Sequence, residues 1–121
     1  MRVPPEDVLY LRHMQDAILR IQSYVEGFDL EAFLQAPLHQ DAVVRQLQIV
    51  GEASNKLSDG LRDSTPSVPW RTIRGMRNRI THDYIGVDLR IVWKTVDESL
   101  PGLLQEVQQL IARFEAGSNG A

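Results

Sequence analysis

Leu11-Arg12-His13-Met14-Gln15-Asp16-Ala17-Ile18-Leu19-Arg20-Ile21-Gln22-Ser23-Tyr24-Val25-Glu26-Gly27-Phe28 is the stretch that decides the fold. Leu11, Met14, Ile18, Ile21, Val25 and Phe28 recur at steps of three and four, which lays them on one stripe of an α-helix. Tyr10, Ala17 and Tyr24 widen that face. Gly27 suits the helix end, where a left-handed residue often closes the last turn.

The same period continues outward. A short helix is predicted from Asp29 to Leu34, stopping near Pro37. A second long helix runs from about His39 to Leu57, with Val43, Leu47, Val50 and Leu57 on one face and the small Ser54 in the remaining position. Asp59-Gly60 breaks it, and Ser64 to Pro69 is a connector rich in turn residues. A third helix opens near Ser67 or Val68, with Pro69 acceptable in its first turn. Trp70, Ile73 and Ile80 mark its buried face. Gly86 permits a sharp turn, Asp88 is a good N-cap, and Val87 and Val92 stand where a hydrophobic staple would. Leu89, Val92, Val96, Leu100, Leu103, Val107, Leu110 and Phe114 keep helical spacing across Pro101-Gly102, as a kinked single helix does. No segment sustains a two-residue alternation. The fold class is therefore all-α, an up-and-down bundle of four main helices with an additional short helix. Residues 1–115 form one helical domain, and 116–121 are a small-residue tail expected to fray.

With 121 residues, the chain suits one domain with a modest core. No apolar run is long enough for a membrane span, and Met1-Arg2-Val3-Pro4-Pro5 lacks the apolar stretch of a signal peptide. The absence of cysteine rules out a disulfide framework and a thiolate metal site, and a reducing cytoplasm is the expected home. A net charge of −3 argues against a general nucleic-acid coat protein. Charge is unevenly spread, however. Arg71, Arg74, Arg77, Arg79, Arg90 and Lys94 lie within one span whose only acids are Asp83 and Asp88. By charge counting alone, a solvated helix face accounts for such a cluster better than a binding surface does.

Inside that span stands Gly75-Met76-Arg77-Asn78-Arg79-Ile80-Thr81-His82-Asp83-Tyr84. Arginine can hold a phosphate oxygen through two parallel bonds, and histidine moves protons near neutral pH. Together they suffice to cut an RNA backbone without a metal. Positions seven apart share a helix face, so Arg77 is in phase with Trp70 and Tyr84. One reading is a structural arginine that caps carbonyls or pairs with Glu52; the other aims it at a scissile phosphate. On a regular helix His82 lies about 140° from Arg77. Either the helix ends before His82, or the site is assembled across a dimer; otherwise His82 is a helix-end histidine favoured by the macrodipole. Asn78, four residues before His82, can orient the imidazole or contact phosphate. Tyr84 can stack on a base or bond phosphate, or serve as an interface tyrosine. Arg74 and Arg79 are candidate RNA contacts. His13 and His39 read as ordinary exposed residues, and Asp7, Asp16 and Asp41 show no metal-ligand spacing. No cofactor is implied.

In this order of flanking segments, the motif resembles the HepT-like ribonuclease toxins of the HEPN superfamily. Asp41-Ala42-Val43-Val44-Arg45 and Ile49-Val50-Gly51-Glu52-Ala53 resemble that family's second helix. Val68-Pro69-Trp70 with Gly75-Met76-Arg77-Asn78 resembles its third, and Gly86-Val87-Asp88 with Val92-Trp93 the start of its fourth. The likeness runs from about Leu9 to about Leu110.

What the resemblance implies is a HEPN-like fold and a homodimeric, metal-independent endoribonuclease toxin. Arg77 and His82 would be catalytic at the dimer interface. Its partner would be a cognate MNT-type nucleotidyltransferase antitoxin that transfers AMP to Tyr84. Resemblance also singles out Glu52, which could pair with Arg77 or Arg45 and is assigned no catalysis. The alternative is a non-catalytic helical dimer that acts as the binding partner or substrate-binding subunit of a nucleotidyltransferase. A purely structural bundle leaves an arginine on an apolar face unexplained. Dimerisation is expected to use the apolar face bearing Trp70 and Ile73.

Overall fold

The computed structural model describes residues 4–74 and 88–119, the side chains of 117–119 excepted. Helix α1 spans Pro5–Tyr24, α2 Leu30–Leu34, α3 Pro37–Lys56 and α4 Asp59–Ser64. Residues 70–74 are helical and are called α5 here. Helix α6 spans Leu89–Lys94, a π-helical turn covers Thr95–Ser99, and α7 spans Leu100–Asn119. Among the described residues there is no strand. The chain is an all-α, HEPN-like helical fold.

Three long helices carry the packing. α1 lies against both α3 and α7, and α2 lies against α3 and α6. The α1 stripe meets its expectation: Leu11, Met14, Ala17, Ile18 and Ile21 are buried, while Val25 and Phe28 pack at the core's edge. Leu11, Met14, Ile18 and Ile21, fully buried, each contribute roughly 1.5–3 kcal/mol. The helix stops at Tyr24, and Gly27 takes a left-handed φ of 79° just beyond it. α2 is held at both ends. Asp29 accepts from the Ala32 N–H at 2.8 Å, and the Gln40 side chain donates to the Phe33 carbonyl at 2.8 Å. Phe33 is thereby driven into the core, 5.4 Å from the Trp93 ring centre.

The junction after α3 departs from expectation. Asp59-Gly60 does not break the chain but opens α4, and the break falls at Leu57 and Ser58. Ser58 is the cause, since its hydroxyl accepts from the Leu61 N–H at 3.2 Å and so starts a new helix. Asp59 in the first turn and Arg62 in the last complement the helix dipole. Asp7, 2% exposed, holds Ser58 from α1. It accepts from the Ser58 N–H at 2.8 Å and from the hydroxyl at 2.5 Å.

Asp88 caps α6 as expected, accepting from the Arg90 N–H at 2.9 Å. From α6 through α7 the helix is continuous, and the π turn sits just ahead of Pro101. There the Leu100 N–H reaches the Thr95 carbonyl, five residues back. The stripe explains this wide turn. Val92, Val96 and Leu100 are two successive steps of four, which on an ideal helix would drift about 80° off the face. The extra residue in the turn takes up that drift, and Val92, Val96, Leu100, Leu103, Val107 and Leu110 are all buried. Helical backbone continues to Asn119, into the segment expected to fray.

Candidate active site

Two connections set the approach to the motif. Trp70 is buried, and its indole N–H donates to the Thr65 hydroxyl at 2.9 Å. That hydroxyl in turn donates to the Leu61 carbonyl at 2.8 Å. The C-terminal end of α4 and the start of α5 are thus joined by side chains as well as by the connector. The Ile73 N–H donates to the Pro69 carbonyl at 3.1 Å, four residues back, and the helix begins at Trp70 rather than at Ser67 or Val68. Ile73 completes the anchor in the core.

At the far end of described α5, Arg74 Nε donates to the side-chain oxygen of Asn55 on α3 at 2.6 Å. Both residues are exposed. Arg71, Arg90 and Lys94 are exposed as well, so the described part of the basic cluster faces solvent. Arg77, Asn78, Arg79, Ile80, His82, Tyr84, Gly86 and Val87 lie outside the described residues. Glu52 is exposed on α3, and no ion pair joins it to Arg45.

Two expectations need correction. Trp70 and Ile73, at 7% and 3% exposure, are spent on the core of a single chain and do not form a free apolar face. Among the described residues the large apolar side chains left exposed are Leu9, Leu19, Leu38 and Ile91. His39 is half-buried and packs on Phe28, with ring centres 4.8 Å apart. His13 is exposed, as expected, with its ring edge-on to Tyr10.

Sequence reading weighs Asp7 only as a metal ligand and passes over Asn55. An acid in a first helical turn resembles a dipole partner, and an asparagine next to Lys56 resembles a surface residue; periodicity carries no signal for either contact. Among the described residues no three His, Asp or Glu side chains gather as metal ligands, and no helix is long and apolar enough to cross a membrane.

Residues 14–110 match the family model described as ribonuclease HepT-like. The chain is 38% identical over 101 residues to a Thermococcus cleftensis protein named "Probable ribonuclease HepT", covering 84% of this chain and 92% of that one. It is 35% identical over 104 residues to "Putative RNase TTE0752" of Caldanaerobacter subterraneus subsp. tengcongensis, covering 86% and 93%. No solved structure matches the chain.

Proposed function

The chain belongs to the ribonuclease HepT-like family, and on that premise we propose that it is a metal-independent endoribonuclease, the toxin of a toxin–antitoxin pair. The observation that carries this reading is the Arg77-x4-His82-x-Tyr84 motif, held within the matched span. A docking surface has no need of a phosphate-binding cation, a neutral-pH proton carrier and a phenol in one short run.

In the proposed reaction, His82 accepts the proton of the 2′-hydroxyl, whose oxygen attacks the adjacent phosphorus. Arg77 stabilises the charge that builds on the non-bridging oxygens. The bond to the 5′-oxygen breaks, and that oxygen takes a proton from the second His82 of a homodimer. Asn78 orients the imidazole, while Arg74 and Arg79 contact the strand. The products are a 2′,3′-cyclic phosphate and a 5′-hydroxyl. The antitoxin, a nucleotidyltransferase, silences the site by AMP transfer: the Tyr84 oxygen attacks the α-phosphorus of ATP, and pyrophosphate leaves. Analysis of RNA product ends tests the chemistry. Cyclic phosphate termini are expected, and 5′-phosphate termini would contradict it.

A further inference from the structure

Asn55 projects from the last turn of α3, and its backbone there is fixed. Arg62 Nη1 donates to the Ser54 carbonyl at 3.1 Å and to the Asn55 carbonyl at 3.4 Å. Arg62 is itself paired with Asp59 at 2.5 Å. The helix end is thus capped by a cation, which suits its dipole. From this platform the Asn55 side chain takes Nε of Arg74. A guanidinium has five N–H donors. Using the inner one leaves the two terminal nitrogens for a second partner.

The choice of partner matters. Arg74 pairs with no carboxylate among the described residues. An amide oxygen orients a guanidinium without cancelling its charge, whereas a carboxylate would do both. Arg71 lies three residues earlier on the same face of α5, also exposed. Like charges at that spacing repel each other on a helix, so an anion bound across them relieves a repulsion.

We propose that Asn55 is a positioning residue that presents Arg74, fully charged, to a backbone phosphate of RNA. This rests on the ribonuclease reading. A purely structural tie between α3 and α5 makes the opposite forecast for one substitution. Asn55→Asp keeps an acceptor for Arg74 and so maintains the tie, but it neutralises the charge.

The test is anisotropy with a labelled 2′-O-methyl oligoribonucleotide of mixed sequence, which lacks the attacking hydroxyl. Arg74→Ala and Asn55→Asp should each raise Kd about tenfold, the size of one charge-assisted hydrogen bond. Both should reduce the slope of log K against log salt by about 0.7, the increment for one phosphate contact on a single strand. Asn55→Ala, which keeps the charge but no longer orients it, should raise Kd about threefold with the slope intact. Thermal unfolding of Asn55→Asp should match wild type. The proposal is overturned if Asn55→Asp binds as wild type does, or if wild type does not bind the oligomer. Cleavage of unmodified RNA is followed in parallel. Binding that shifts as described in a protein that cuts nothing supports the Asn55 role and overturns only the nuclease reading.

Discussion

Asp7 and Ser58, fifty-one residues apart, are joined by two hydrogen bonds to one buried carboxylate. The same serine caps α4, so the start of α1 and the start of α4 are fixed to each other. α4 leads through Thr65 and Trp70 to α5, the helix that precedes the motif.

Asp7→Ala should therefore destabilise the fold by about 2–3 kcal/mol, because it strands a partly buried N–H and hydroxyl. Ser58→Ala should cost about 2–3 kcal/mol, because it loses the cap and one hydrogen bond to the buried carboxylate. Urea unfolding monitored by circular dichroism measures both, and a neutral Asp7→Ala would show that the junction is held by packing alone.

Trp70→Ala should cost about 3–5 kcal/mol, as large aromatic deletions from a core do. Trp70→Phe should cost about 1 kcal/mol, mainly for the N–H donated to Thr65. Both losses should be the same at low and high protein concentration, since Trp70 is buried within one chain. A concentration-dependent loss would return Trp70 to a subunit interface.

These residues show where sequence reading succeeds and stops. Three-four spacing identified the buried stripes of α1, α3 and α7, because burial follows from phase alone. It does not say against what a face is buried, and so Trp70 and Ile73 read equally as a dimer contact. Helix α4 leaves no periodic signal, because its six residues bury one apolar side chain, Leu61, and include Gly60. The wide turn at Thr95–Ser99 is written in the two steps of four, but such steps also occur in regular helices. For the site, the motif is legible as a run of residues. The contact of Arg74 with Asn55, nineteen positions away on another helix, is not.

The proposed homodimer should appear by light scattering at micromolar concentration, with its mass unchanged in His82→Ala. A monomer would count heavily against a site that uses two histidines.

Tyr84→Phe keeps the ring but removes the oxygen that would attack ATP. Incubated with the partner nucleotidyltransferase, ATP and magnesium, wild type should gain the mass of AMP and the variant should not. The added phosphate would stand near Arg77 and the nucleoside would occupy space needed by RNA. Equal modification of both proteins would remove Tyr84 from the regulatory account.

The proposed function stands on metal-independent RNA cleavage by Arg77 and His82. Its most direct measurement is the initial rate of cleavage of a defined RNA in excess EDTA, for wild type beside His82→Ala. Wild type should cleave at an undiminished rate, and the variant should lose at least about a hundredfold, the usual worth of a general acid–base group. Activity abolished by EDTA, or a variant that cuts at the wild-type rate, would contradict it.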